Sequence, residues 1–329
     1  MANKAARKKS SSKQSSGGSR SGATLSSADV AVVSGREPCP CGSGRRYKAC
    51  HGRDAGQAAE QFVARPFEGL PGECDWVAMR EIVPAATARL HLTRDLAGRE
   101  ATLATVLPMA WPGLVRQDGS VYVGLQVTGG SGDSSRDVAD ALEKALDAEP
   151  GSPIMQPTLP APGRRLQDLI DPTAAFEVEV HPGFDFWLEG VEDQSAEVVA
   201  SMDRANEAVV PTTRLTSVEA AYWCEIRDRN HLRWVMPHDE EALLDALARL
   251  HVLGADVVGK DSRYVGAFRA DGLMVPVWDL EPGTAADSLE DPVIVFAGRL
   301  AEAMADGSPL DDAQRRARAG LRSRQLTLR

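Results

Sequence analysis

The chain has 329 residues, of which 43% are hydrophobic, and its formal net charge is −10 at pH 7. A chain of this length and composition can bury a sizeable apolar core in one large domain or two smaller ones. No run of about 18 apolar residues occurs, and the first residues lack the apolar stretch of a signal peptide, so we expect a cytoplasmic protein that does not span a membrane.

The charge is distributed unevenly along the chain. Residues 1–53 contain eleven lysines and arginines against two acidic residues, a net charge of +9, so the remaining residues carry −19. A basic segment on an acidic chain is typical of proteins that contact an anionic partner, such as RNA, a ribosome or an acidic protein surface. A basic tail that only keeps a flexible segment solvated is an equally good interpretation.

Residues 1–35 are expected to be a disordered basic tail. They consist mainly of Ser, Gly, Ala, Lys and Arg and contain almost no large apolar side chains. Such a segment cannot bury enough surface to offset the entropy that it would lose on ordering.

Residues 36–53 place three cysteines and a histidine within thirteen residues, with the spacing C-x-C-x8-C-H: Cys39, Cys41, Cys50 and His51. Three thiolates and an imidazole make a complete tetrahedral shell for Zn²⁺. The first two cysteines are two residues apart, so one tight turn can direct both sulfurs at one point, and Gly42 and Gly44 permit the positive φ that such a turn needs. Because protein would fill all four positions, we predict a closed structural zinc site.

The other two of the five cysteines, Cys74 and Cys224, are isolated. A secreted disulfide scaffold would have cysteines that are denser and even in number, so the cluster favours metal binding in a reducing compartment. A chance cluster or a redox pair is the alternative. Cys224 lies in an apolar, strand-like segment and is expected in the core, whereas Cys74 is expected at the edge of the domain that follows.

Residues 36–53 resemble the SEC-C motif, the zinc module at the C-terminus of the SecA translocase ATPase that also occurs on many unrelated proteins. The resemblance implies that the zinc ligands are Cys39, Cys41, Cys50 and His51. It also implies a basic face that contacts SecB or the ribosome, formed here by Arg45, Arg46 and Lys48. No G-x-x-x-x-G-K-[ST] segment occurs in the chain, so we do not expect a translocase motor.

The chain as a whole resembles an uncharacterised bacterial family that carries an N-terminal SEC-C motif and whose members are often labelled as related to the preprotein translocase SecA. The resemblance lies in the segments 105–116 (TVLPMAWPGLVR), 120–127 and 132–137 (GDSSRD). It implies no activity.

Residues 54–72 combine a short helical pattern with a break of two prolines and two glycines, and we predict a linker there. An α+β body is expected over residues 73–308, beginning with an amphipathic helix that Pro84 ends. Residues 309–329 are predicted to form a basic C-terminal helix, which is either a second contact for an anion or only a solvated helix.

Within the body, two strand-like segments followed by a helical pattern recur four times. Turn signals lie between the two strands of each pair, at residues 117–119, 182–183, 228–230 and 270–272. The predicted strand pairs are 101–107 with 120–127, 174–181 with 184–188, 220–227 with 231–236, and 262–269 with 273–280. The predicted helices are 135–148, 196–209, 240–252 and 292–304. We therefore predict an α+β fold of antiparallel sheets covered by helices, with two pseudo-related halves that divide near residues 150–172 or near residue 210.

The body offers two candidates for a ligand site. The glycine-rich loop at residues 129–133 opens a predicted helix, whose N-terminus can bind a phosphate. However, Asp133 and Asp137 would repel a phosphate, and Asp133 is also a typical N-cap. His181 and Asp185 are close enough in sequence to form a pair.

These observations favour a zinc-binding adaptor whose module docks on a ribosome, RNA or an acidic protein partner. The alternative is a small-molecule-binding or enzymatic body that the zinc module recruits to its substrate. An enzyme is not the preferred interpretation, because the sequence contains no recognisable nucleotide-binding or catalytic motif.

Overall fold

The computed structural model describes residue 46 and residues 62–324, apart from residue 97 and residues 128–129, 156–162 and 190–194. The chain divides into two compact units, residues 1–56 and 57–329, and the elements below all belong to the second. Since residues 62–72 and the C-terminal helix pack with the predicted body, the name body is used from here on for residues 62–324.

The α+β prediction is confirmed, with seven α-helices and eleven strands in the described residues. The helices are α1 (Glu73–Glu81), α2 (Ser134–Leu146), α3 (Leu166–Leu169), α4 (Ala196–Glu207), α5 (Glu240–Val252), α6 (Glu290–Ala305) and α7 (Asp312–Ser323). The strands are β1 (Ala86–Leu90), β2 (Ala101–Ala104), β3 (Gly113–Val115), β4 (Val121–Gly124), β5 (Pro153–Ile154), β6 (Val178–Val180), β7 (Thr212–Arg214), β8 (Ala221–Ile226), β9 (Arg229–Trp234), β10 (Arg263–Ala270) and β11 (Leu273–Leu280). Short 3₁₀ helices occur at Arg94–Leu96, Pro108–Ala110, Asp185–Trp187 and Ala286–Leu289. All four helices predicted for the repeated pattern lie within two residues of α2, α4, α5 and α6 at each end.

The first sheet has the strand order β5-β3-β4-β2-β1-β6. Adjacent strands in this sheet are antiparallel, except that β2 and β4 run parallel. The pairing predicted for residues 101–107 and 120–127 is therefore wrong in direction, although both strands exist. The turn at residues 117–119 instead joins β3 to β4, and β3 is a short strand after Pro112 that was not predicted.

The second predicted pair, 174–181 with 184–188, does not form. Strand β6 pairs with β1, and residues 185–187 form a 3₁₀ helix. The reason is an aromatic cluster in which Phe184 stacks on Trp187 with ring centroids 4.5 Å apart. The indole of Trp187 donates a hydrogen bond to the Val106 carbonyl at 2.9 Å. Phe184 and Trp187 are three residues apart, so a helical turn brings their side chains together, whereas a strand would direct them to opposite faces.

The second sheet has the order β10-β11-β9-β8-β7 and is antiparallel throughout. Both hairpins predicted in this region, β8–β9 and β10–β11, are confirmed. In the second hairpin two residues connect the strands, Asp271 with φ 42° and Gly272 with φ 81°. Positive φ at both positions is the type I′ turn for which an Asp-Gly pair is the preferred sequence.

Strand β11 is buried on both faces of the second sheet, because apolar side chains occur at successive positions along it. Val275 and Val277 of β11 belong to a core cluster that also contains Trp76 of α1 and side chains of β1 and β2. Met274 and Trp278 belong to a second cluster with side chains of α5, α6 and α7. Helices therefore cover one face of the sheet, and the first part of the body covers the other.

The segment before α1 is packed on the body. Phe67 is fully buried and stacks on Trp76 with ring centroids 5.7 Å apart. Gly72 has φ 66° and lies so close to Phe176 that a β-carbon on residue 72 would be 2.9 Å from that of Phe176. Residues 62–72 of the segment expected to be a linker thus contribute to the core, and residues 54–61 lie outside the described residues.

The C-terminal helix α7 packs against α5 and pairs its charges with it. Arg318 binds the carboxylates of Glu241 and Asp245, and Arg322 lies 3.0 Å from Glu241. Part of its basic face is thereby neutralised. In the described part of the chain, no helix is both long enough and apolar enough to cross a membrane.

Candidate functional sites

The predicted zinc ligands Cys39, Cys41, Cys50 and His51 lie outside the described residues. Of the three predicted basic contacts, Arg45 and Lys48 also lie outside them, and Arg46 is described and exposed. The donor set nevertheless fits the metal by its chemistry, since three thiolates and one imidazole form a common structural zinc shell. Among the described residues, no group of three or more His, Cys, Asp or Glu side chains could hold a metal ion.

The two isolated cysteines are both buried free thiols. Cys224 lies in the core as expected, whereas the expectation that Cys74 lies at the edge is wrong, because only 1% of its surface is exposed. Burial raises the pKa of both thiols above the ordinary value. Neither cysteine belongs to a described group of three or more side chains that could hold a metal ion.

The glycine-rich loop at residues 129–133 is occupied by the protein's own carboxylates. The Asp133 side chain caps α2 by accepting a hydrogen bond from the backbone N–H of Arg136, which confirms the N-cap prediction. The Asp137 carboxylate accepts a hydrogen bond from the backbone N–H of Ser131 at 2.8 Å. A β-carbon on Gly130 would lie only 2.7 Å from an Asp137 oxygen. A phosphate would have to displace these groups, so the loop is not a phosphate site.

A polar cavity of about 250 Å³ lies beside this loop, between α1 and α2. Its central side chain is Arg80, which donates a hydrogen bond to Ser134 and lies 3.4 Å from Glu81 and 3.4 Å from Asp271. Burial raises the pKa of Asp271, and the charge of Arg80 opposes the rise. These contacts join α1 to α2 and to the β10–β11 turn, so the polar side chains at the cavity stabilise the fold.

His181 and Asp185 do not pair. The Nε2 atom of His181 lies 2.8 Å from the Thr87 hydroxyl. The amide of Asn206 lies 3.4 Å from the Asp185 carboxylate. The two residues are separated by the turn into the 3₁₀ helix, which the sequence pattern assigned to a strand.

A buried ion pair that the sequence did not predict joins α1 to the second sheet. Asp75, of which 1% is exposed, receives two hydrogen bonds from Arg214 at 2.8 and 3.1 Å and one from the Tyr222 hydroxyl at 2.6 Å. Burial, reinforced by the charge of Asp75, raises the pKa of Tyr222 well above its ordinary value. The three residues come from separate parts of the chain, and Asp75 alone resembles an ordinary acidic residue of a first helical turn.

Two of the histidines are paired with carboxylates. His231 lies 3.0 Å from Asp279 on the surface of the second sheet, and burial lowers its pKa. His251, in the last turn of α5, lies 2.6 Å from Asp256. The two pairs lie on different elements and do not form one site.

Two family models match the chain. The model described as "Family of unknown function (DUF5926)" matches residues 66–329, and the model of the SEC-C motif matches residues 36–53. No solved structure matches the chain. The matches confirm the predicted combination of a SEC-C motif with a body of unknown function, and they identify residues 36–53 as a zinc-type module.

Proposed function

We propose that this chain, which belongs to the family of unknown function DUF5926, is a cytoplasmic zinc-binding adaptor. In this proposal the zinc module, residues 36–53, docks the body on an anionic partner. The observation that carries the proposal is the complete donor set Cys39, Cys41, Cys50 and His51, which coincides with the SEC-C match. A module with four protein ligands has no open coordination position, so the metal would stabilise a fold rather than activate a substrate.

The metal would supply most of the folding free energy of the module. Eighteen residues are too few for an apolar core, and structural zinc contributes on the order of 10 kcal/mol to small zinc peptides at neutral pH. Bound Zn²⁺ holds the thiolates deprotonated and joins the two ends of the spacer. The spacer carries Arg45, Arg46 and Lys48, so zinc binding would also fix the positions of these basic side chains.

The partner is proposed from charge. Residues 1–53 carry +9, whereas the rest of the chain carries −19. A body of this charge is repelled by a polyanion, so the N-terminal region is the part of the chain that can bind one. A ribosome, RNA and an acidic protein share the required chemistry. Contacts between Lys or Arg side chains and phosphates weaken steeply as salt is raised.

The test is copurification of the full chain with its partners at low and high salt. We expect at least about a tenfold loss of retained partner on raising salt from about 50 to 200 mM if several phosphate contacts are made. The double variant Cys39→Ser with Cys41→Ser should lose the partner already at low salt. His91→Ala replaces an exposed histidine of the body and should retain it.

A second pair of variants separates the module from general electrostatics. Arg45→Glu with Arg46→Glu and Lys48→Glu should abolish retention while zinc stays bound. The matched control reverses three exposed arginines of the body, Arg94, Arg227 and Arg316, and should retain the partner. Equal loss in both triple variants, or a partner that the double cysteine variant still retains, would contradict the proposal.

A further inference from the structure

Strand β10 (Arg263–Ala270) forms one edge of the second sheet, and among the described strands only β11 pairs with it. An edge strand of eight residues presents a row of N–H and C=O groups to which a further strand can bind. Natural proteins usually cover such an edge, keep it short or interrupt it, because an open edge can pair with another chain. A partner for the outer edge of β10 is therefore expected.

The chain itself reaches this edge directly after α7. The Arg324 carbonyl accepts a hydrogen bond from the Ala267 N–H at 3.3 Å. Gly266 lies so close to the Arg324 carbonyl that no β-carbon would fit between them. Within the described part of the chain, this is the one backbone hydrogen bond that β10 makes outside its pairing with β11. Pairing with the outer edge of β10 thus begins at Arg324.

The chain runs antiparallel to β10 at this point. Leu321 of α7 lies beside Phe268, whereas Arg324 also lies beside Tyr264, nearer the start of β10. The chain therefore proceeds toward the first residues of the strand. Because both strands of a pair advance about 3.3 Å per residue, the segment 325–328 is long enough to reach the start of β10.

A cavity of about 490 Å³ lies in this path, at the start of β10. Charged groups in its wall already have partners. The Nδ1 atom of His251 lies 2.6 Å from the Asp256 carboxylate, and the guanidinium of Arg263 lies 2.8 Å from Asp279. The wall also has an apolar part, formed by Val257, Tyr264 and Val265. Aliphatic side chains therefore suit the space that the cavity leaves open.

The residues that follow Arg324 have the sequence Gln-Leu-Thr-Leu-Arg, in which polar and apolar residues alternate. This alternation is typical of a strand that is buried on one face. Side chains two residues apart in a strand lie on the same face. Since Arg324 lines the cavity, an extended chain places Leu326 and Leu328 on the cavity side as well. Gln325 and Thr327 then lie on the opposite face.

We propose that residues 325–329 bind along β10 as an antiparallel sixth strand of the second sheet, with Leu326 and Leu328 in the cavity. The occupant is this segment of the same chain, because Arg324 tethers it beside the edge at a high effective concentration. The family match extends to residue 329, as expected for a segment that belongs to the body. The added strand covers an edge that could otherwise pair with another chain.

The experiment is amide hydrogen exchange of the full chain, measured residue by residue. The Arg324 carbonyl points toward β10, so the N–H groups two and four residues later point toward β10 as well. The amides of Leu326 and Leu328 should exchange at least about tenfold more slowly than in a synthetic peptide of residues 325–329. Exchange as fast as in the peptide overturns the inference. Protection that appears only with a dimer at high protein concentration also overturns it, because the segment would then bind to a second copy.

Two matched pairs of variants test where the segment binds. Leu326→Asp with Leu328→Asp should abolish the protection. Gln325→Asp with Thr327→Asp adds the same charge on the opposite face and should retain it.

The second pair changes the body. Val257→Asp places a carboxylate in the cavity wall and should also abolish the protection of the segment, whereas Val252→Asp, at the exposed end of α5, should retain it. Circular dichroism checks that each variant is folded. Equal protection in the two double variants, or unchanged protection in a folded Val257→Asp variant, overturns the inference.

Discussion

The zinc module and the body differ in what holds them together. The module has four metal-ligating side chains in thirteen residues and too few apolar residues for a core. The body has two large apolar clusters, one on each face of the second sheet, and no described group of three metal-ligating side chains. We therefore expect the chain to combine a region that requires a metal to fold with a region that folds by burying apolar surface.

Because of this difference, removing the metal or truncating an apolar side chain should each affect only one of the two regions. Removing zinc is expected to act on the thiolates of the module, whereas Cys74 and Cys224 of the body are isolated, buried thiols outside any described group of metal ligands. Removing an apolar side chain acts on the body and leaves the four ligands intact. Each prediction below therefore has two readouts, the free energy of unfolding of the body and the zinc content of the chain.

The largest effect is expected for Trp278→Ala. The indole is fully buried between the Phe296 and Tyr264 rings, with centroids 5.1 and 5.5 Å away. Truncating a buried tryptophan leaves a cavity and costs about 3–5 kcal/mol. Denaturant unfolding followed by circular dichroism should show this loss, with zinc content unchanged. Val295→Ala, on the exposed side of α6, is the control and should change stability by less than about 0.5 kcal/mol. Loss of zinc together with stability would show that the two regions are coupled.

Arg214→Leu should have the next largest effect. It leaves the Asp75 carboxylate, whose side chain is 2% exposed, buried without its ion pair. Removing one partner of a buried pair costs about 3 kcal/mol or more, because the remaining charge stays desolvated. Arg89→Leu breaks an exposed pair with Glu100 and should cost less than about 1 kcal/mol. Equal losses of unfolding free energy in the two variants would show that the Asp75 network does not stabilise the joint between α1 and the second sheet.

The smallest effect, and the one with a pH signature, is expected for Asp271→Asn. Burial raises the pKa of this carboxyl group in the folded state. The folded state therefore holds the proton more tightly than the unfolded state, and the residue's contribution to stability falls as pH rises above its ordinary pKa. Asparagine removes this loss and still suits the turn before Gly272. We expect the variant to be more stable at pH 7 than the original chain by about 1 kcal/mol or less, with no difference near pH 3.

Asp118→Asn is the control for the sign of this effect. Asp118 also precedes a glycine in a turn, but its pKa is lowered by hydrogen bonds from Ser120. Its contribution to stability is present above the ordinary carboxyl pKa and is lost as pH falls, so its substitution should destabilise the chain at pH 7. Unfolding measured from pH 3 to 8 checks both signs, and a destabilised Asp271→Asn variant at pH 7 would contradict the assignment.

Local signals were sufficient for the two hairpins of the second sheet and insufficient for its edge strand β7 and for the first sheet. The hairpins β8–β9 and β10–β11 are closed by two-residue turns, so the residues that determine the pairing are adjacent in sequence. In the first sheet, β1 pairs with β6 from residues 178–180, and β2 pairs parallel with β4. Such pairings depend on which distant segments share the core, which short-range patterns do not reveal.

The same distinction applies to the sites. The four predicted zinc ligands lie within thirteen residues, so their spacing in the sequence was enough to predict them. The groups around Asp75 come together only in the folded chain, because Arg214 and Tyr222 lie on strands far from α1 in sequence. His251 and Asp256 are five residues apart across the end of α5, and that spacing was the one available signal for their pairing.

Zinc content tests the central claim most directly. The full chain, purified under reducing conditions and without added chelator, should contain one zinc ion per molecule by elemental analysis. The variant Cys39→Ser with Cys41→Ser should contain none, while its body unfolds at the same denaturant concentration as that of the original chain. Absence of zinc from the unmodified chain, or a full equivalent of zinc in the double variant, would contradict the account.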